Sequence, residues 1–185
     1  LLGRLGSTQR WNGSQPPPGR QAVFLGDLID RGDEQMRVVD TVRRMVDNGH
    51  ARCVLGNHEL NAIGWATPDR EHDGAHLRRH SDKNRKQHAA FLDQVGEGSP
   101  RHREIVGWFS TLPPALDLGG IRAVHAWWNP QYVDLVRERQ GGQALEGDLL
   151  QEIFREGGAL CEAYEVLTKG YELQLPEGAF FLDKD

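Results

Sequence analysis

The chain has 185 residues, of which 38% are hydrophobic and 26% charged, and carries a formal net charge of -5. That length accommodates one domain with a substantial core. It holds no apolar run near the roughly 20 residues a membrane helix needs, which excludes a bilayer-spanning reading, and its net negative charge speaks against a general nucleic-acid binder.

The opening "LLGRLG" reads as the tail of a helix, and the chain as a piece cut at both ends. After Gly13, "SQPPPGR" is a breaker-rich loop, followed by a strand over about Gln21 to Leu25 whose apolar run is expected to be buried. Met36, Val39, Val42 and Val46 lie three and four apart within 33–48, which predicts an amphipathic helix stopped by Gly49. A second strand, "ARCVL", ends at Gly56. Strand, helix and strand in that order predict an α/β fold with its functional loops at strand ends. Between about 67 and 111 the composition turns polar and histidine-rich, and helices are expected at Ser81 to Val95 and from Ser99-Pro100 to Phe109. This segment reads as a lid or cap inserted into the fold. "ALDLGGIRAVHA" carries a two-residue hairpin signal at Gly119-Gly120; Asn129-Pro130 opens another helix, and the pattern stays helical to Lys169. Cys53 and Cys161 lack metal-ligand spacing, which predicts a reduced, cytoplasmic protein with Cys53 as buried filler.

Three segments, each following a predicted strand, deliver polar groups of distinct capability. They are Gly26-Asp27-x-x-Asp30-Arg31-Gly32, Gly56-Asn57-His58-Glu59 and Val124-His125-Ala126, all read as loops. Each has an ordinary structural reading: Asp27 as a turn former, Asp30 as a helix N-cap, His125 as a core or surface histidine. A calcium-binding loop is rejected, because Ile29 stands where a ligand oxygen belongs. Together, carboxylate, amide and imidazole suit a divalent ion such as manganese, iron or zinc. A basic stretch (Arg78, Arg79, Lys83, Arg85 and Lys86 against Asp82) reads first as a solvated helix face and second as a contact for a polyanionic substrate. It lacks the interleaved aromatics of a single-strand nucleic-acid binder.

These blocks resemble those of the calcineurin-like metallophosphoesterases of the phosphoprotein phosphatase type. "GDLIDRG" and "LGNHE" match that family's first two retained motifs, "VHAWWNP" is similar to a variant of a later one, and the resemblance spans roughly Ala22 to Pro130. "RRHSDKNRKQHAAFLDQVGEGSP" is similar to the insert of bacterial relatives of the symmetrical diadenosine tetraphosphatases. The resemblance implies one layered domain of two packed β-sheets flanked by helices, with 67–111 as a helical cap. It also implies two divalent metal ions bridged by Asp27, one of them bound further by Asn57 and His125. Paired ions activate water and clamp an in-line displacement at phosphorus. His58 is then the general acid, Asp30 orients its ring, and Arg31 holds the phosphate. Implied substrates are phosphoproteins, dinucleoside polyphosphates or small phosphoesters.

Two of that family's features are absent: an Asp-x-His pair ahead of Asp27, and a metal-binding histidine after His125. Both fall beyond the chain's ends, and "FFLDKD" closes it without an obvious terminator, so loss at the ends is the expectation, with weak metal binding and low activity for this chain. The competing reading is a non-catalytic module that binds a phosphoryl ligand or a partner on the same scaffold.

Overall fold

The computed structural model describes residues 1–10, 13–172, 175–176 and 178–180. Leu2–Leu5 form one 3-10 turn closed by Gly6 in the left-handed region, so the helix-like opening is a single turn. Strands β1 (Thr8–Arg10) and β2 (Gly13–Gln15) then pair antiparallel, with Thr8 opposite Gln15. This corrects the loop expected from Ser14 onward: a polar Ser-Gln pair carries no hydrophobic alternation, and its strand state rests on backbone pairing and on helix α1 (Gln35–Asp47) packed against it. Most of "FFLDKD", from 181 on, lies outside the described residues.

Strand β3 (Ala22–Phe24) pairs in parallel with β4 (Ala51–Cys53), and α1 makes the crossover that a parallel pair requires. Both strands are shorter than the apolar runs that announced them. β3 is also less buried than expected, with Val23 37% and Leu25 49% exposed, because among the described residues β4 is its one neighbour strand. Helix α1 buries Val39, Val42 and Met45, while Met36 and Val46 pack at the edge of the core. The predicted stripe is therefore rotated slightly, since the helix touches β2, β4 and the helix at Asp82–Val95 at once.

Helices α2 (Asn57–Ala66), α3 (Asp82–Val95) and α4 (Pro100–Phe109) follow. Ser81 and Ser99 cap the last two by accepting the N–H groups of Asn84 and His102; Ser99 does so as the sequence predicted, while Ser81, expected as the first helical residue, is the cap instead. Phe91, Leu92, Ile105 and Phe109 of the polar insert enter the same core as Leu60, Ile63 and Trp65 of α2. Strands β5 (Ala115–Asp117) and β6 (Arg122–Val124) form the hairpin announced by Gly119-Gly120, both with positive φ. The Leu55 N–H donates to the Pro113 carbonyl at 2.8 Å, which ties the end of β4 to the approach of β5.

Helices α5 (Pro130–Gln140), α6 (Gly147–Ile153) and α7 (Ala159–Lys169) complete the domain. Asn129 caps α5 as expected, and α7 lays Leu160, Tyr164 and Leu167 into the core beside α2 and α5. Burying each such side chain contributes about 1.5–3 kcal/mol. The molecule is an α/β domain whose described strands pair two by two. No described helix is long and apolar enough to cross a membrane. Cys53 is buried as expected, and burial pushes its thiol up to about 12.

His102, inside this core, accepts the Gly98 N–H on Nδ1 at 3.0 Å. Burial lowers its pKa below the ordinary 6.5, so the folded chain takes up a proton less readily than the unfolded one. Folding stability should hold above that value and decline as the pH falls below it. Urea unfolding between about pH 7 and about pH 5 should show this decline, and His102→Gln, which keeps an acceptor but does not titrate, should flatten part of it.

Candidate active site

The segment leaving β3 is an unusual stretch of backbone. Gly26, Asp27, Asp30 and Gly32 all have positive φ, and two of these are aspartates, at 54° and 68°. A non-glycine residue there is strained by about 1–3 kcal/mol and persists only where its surroundings over-determine it. Leu28 and Ile29 supply one restraint by sinking into the core. Glu59 supplies another: its fully buried carboxylate accepts the N–H groups of Asp27 (2.9 Å), Leu28 (2.7 Å) and Gly56 (3.0 Å). Burial raises the Glu59 pKa, with the three N–H groups pulling against it. Gln35 accepts the Asp30 N–H at 2.8 Å. The two motif backbones also touch, since a Cβ on Gly26 would stand 2.5 Å from the Gly56 nitrogen. Only glycine fits that approach.

Asn57, His58 and Glu59 form the first turn of α2 rather than the loop expected from the sequence. The reason is Glu59, whose carboxylate reaches back to the Gly56 N–H and satisfies a helix-terminal donor. This start fixes the His58 ring, and its Nδ1–H donates to Asp30 Oδ2 at 2.8 Å. The hydrogen bond to Asp30 raises the His58 pKa, against burial and with help from Asp27. Asp30, with its side chain 5% exposed, also accepts from His88 Nδ1 on its other oxygen at 2.7 Å. Burial opposes its charge, but the hydrogen bonds from both histidines prevail and its pKa lies below the ordinary carboxylate value.

His125 follows β6 and donates its Nδ1–H to the Leu25 carbonyl. That bond leaves Nε2 as the free ring atom, 3.4 Å from Asp27 Oδ1. The spacing fits two donors that share one divalent ion at about 2.0–2.2 Å each. Asn57 opens α2 and lines the same cleft as His58, whose Nε2 stands 3.9 Å from Asp27 Oδ2. Carboxylate, imidazole and amide are a fitting donor set for manganese, iron or zinc. Among the described residues, no three His, Cys, Asp or Glu side chains form a group that could hold a metal ion by themselves. Arg31 is exposed at the rim and makes no ion pair with a described residue.

A cleft of about 760 Å³ opens over Asn57, His58 and Arg31, with Arg78, Lys83 and Lys86 on its wall. The basic stretch is thereby sorted. Arg85 pairs instead with Glu97 at 3.1 Å and lies over the Trp65 ring, and Arg79 lines a neighbouring pocket. Sequence reasoning missed Glu59, Gln35 and His88. Glu59 stood inside the quoted motif, and helical spacing relative to Phe91, Leu92 and Val95 places His88 on the buried face of α3; Gln35 gave no such signal.

Glu59→Gln keeps the shape of the side chain but sets an amide donor against at least one backbone N–H. It should cost about 1–3 kcal/mol of unfolding free energy in urea titration, whereas Glu138→Gln on exposed α5 should change little.

A family model described as calcineurin-like phosphoesterase matches residues 2–160. The symmetrical bis(5'-nucleosyl)-tetraphosphatase of Ralstonia nicotianae is 28% identical over 116 residues, which cover 63% of this chain and 36% of that protein. Its counterpart in Janthinobacterium sp. is 31% identical over 116 residues, covering 62% and 36%. An asymmetrical bis(5'-nucleosyl)-tetraphosphatase of Anoxybacillus flavithermus is 44% identical over 50 residues, covering 26% and 20%. The chain thus spans about a third of the length of the symmetrical relatives it matches. The family match covers most of the sequence and contains all three motifs; the chain belongs to the calcineurin-like phosphoesterase family.

Proposed function

We propose that the protein is a metal-dependent hydrolase of phosphoesters whose substrates are dinucleoside polyphosphates. One observation carries this reading: two carboxylate–histidine pairs, Asp30–His58 and Asp27–His125, stand close together, joined by the 3.9 Å approach of His58 to Asp27, and the first of them lines a cleft with a basic wall. The names of the relatives favour the polyphosphate class, and they lend no support to a phosphoprotein. The scaffold we propose is the two-sheet layer, with 67–111 as a cap contributing one wall. The two unpaired cysteines fit a reducing compartment such as the cytoplasm.

In this reading Asp27, Asn57 and His125 would hold a divalent ion, and Asp27 would also serve a second. Bound metal supplies Lewis-acid polarisation and an activated water. Arg31 offers a guanidinium fork to phosphate oxygens. His58, its Nδ1–H engaged by Asp30, presents Nε2–H toward the cleft and gives that proton to the leaving oxygen, phosphate in a polyphosphate and alkoxide in an ester, as the P–O bond breaks. Arg78, Lys83 and Lys86 neutralise the phosphates that do not react.

The test is manganese-dependent cleavage of diadenosine tetraphosphate and p-nitrophenyl phosphate. His58→Asn should lower kcat by about 10²–10⁴. The double variant Arg78→Ala, Lys86→Ala should raise KM for the tetraphosphate about tenfold or more while leaving that for p-nitrophenyl phosphate within about threefold. A second reading, a module that only binds a phosphoryl ligand or a partner, is favoured by the lack of any three-residue His, Cys, Asp and Glu cluster among the described residues. Tetraphosphate binding by calorimetry without turnover would select it.

A further inference from the structure

The His88 side chain has no part in the reaction just outlined, yet it is built into the site. It lies on α3, is 6% exposed, and gives one described hydrogen bond, from Nδ1 to Asp30 Oδ1 at 2.7 Å. Its Nε2 is buried without a partner among the described residues. A buried nitrogen left unpaired costs free energy, and such costs are tolerated mainly where the group serves another purpose. The ring is fixed by neighbours: Trp65 stands 5.7 Å away, centroid to centroid, and Phe91 4.9 Å.

The two histidines divide the Asp30 carboxylate between them, His58 on Oδ2 and His88 on Oδ1. With both oxygens engaged, the carboxylate plane is set, and the His58 ring is held with Nε2 toward the cleft. Without the His88 donor, Oδ1 loses its partner, and the carboxylate is free to turn about its terminal torsion, which is broad for aspartate.

Simple attachment of α3 to the motif turn does not need His88. Gln94, on the same helix, accepts the Gln35 N–H at 3.0 Å, and Gln35 in turn holds the Asp30 N–H and the Gly32 carbonyl. The two ties are separable: Gln94 fastens the helix to the turn, and His88 fastens the carboxylate.

We propose that His88 is a positioning residue for proton donation, fixing Asp30 so that Asp30 in turn aims His58 at the leaving group. The proposal rests on the phosphoesterase reading for its kinetic consequence, but not for its structural one. It also gives the insert a function beyond the cleft wall, because α3 carries Lys83 and Lys86 on the substrate side and His88 on the side of the acid.

The experiment compares the full chain with His88→Phe, which keeps the aromatic packing and removes the donor, His88→Asn, which restores a donor near the Nδ1 position, and Gln94→Met. Substrates are p-nitrophenyl phosphate, whose leaving group needs little protonation, and an alkyl phosphate, whose leaving group needs it fully. His88→Phe should lose about tenfold or more in kcat on the alkyl phosphate, with KM unchanged and a loss under about threefold on p-nitrophenyl phosphate. His88→Asn should recover most of that loss, and Gln94→Met should lower stability without any dependence on the leaving group. Long-range proton–nitrogen spectra of the imidazoles give a readout apart from activity. Neutral His58 should be the Nδ1–H tautomer in the parent and in His88→Asn, and a mixture in His88→Phe. Equal losses on both substrates, or a His58 tautomer untouched by His88→Phe, would overturn the proposal. If the parent shows no turnover, the phosphoesterase reading fails, and the tautomer spectra alone decide the role of His88. If His88→Phe does not fold, His88→Met takes its place in both measurements.

Discussion

The carboxylate of Glu59 is the interaction on which the site depends. It is fully buried, and three backbone N–H groups from two chain segments converge on it. Burying a charge without compensation is costly, and these N–H groups are what makes this one tolerable. In return, Glu59 gives α2 its start, holds Asp27 in a left-handed conformation and sets the contact between Gly26 and Gly56. The placement of both Asp27 and His58 follows from it.

The polar groups of the site form a graded chain from interior to cleft. Glu59 and Gln35 hold only backbone. Asp30, nearly buried, holds two imidazoles, and its hydrogen bond is the main cause of the raised His58 pKa. Asp27, a third exposed, faces one nitrogen each of His58 and His125. Arg31 stands outermost. Rigidity decreases and solvent access increases along this series, as a site requires when its supporting groups must stay still while its outer groups meet a ligand.

Elements announced by short-range chemistry were legible in the sequence. The Ser99 cap of α4, the Asn129 start of α5 and the Gly119-Gly120 turn are local signals, and each is realised where it was read. The three motif segments were also legible as carriers of polar groups, and the structure brings Asp27, Asp30, His58 and His125 within hydrogen-bonding or near-contact distance. The β1–β2 hairpin was not legible, because its residues are held by pairing rather than by pattern. Nor was the helical start at Asn57: it depends on a side chain reaching back to Gly56 while also binding residues 27 and 28, and a contact across some thirty positions leaves no periodic trace. His88 lay in plain view among the insert's histidines, but its partner belongs to a different element.

The Leu25 carbonyl sets a boundary of another kind. It accepts from His125, so the first backbone acceptor beyond β3 is engaged by a side chain of the site. Sheet and site therefore share one register. A single-residue insertion within β3 or β6 would reverse the faces of the residues beyond it and separate the imidazole from its carbonyl in the same step. Length variation among related chains should accordingly collect outside these two strands, in the polar segment 67–111 and the helices after Pro130, where the main chain can lengthen without moving the histidine from Asp27.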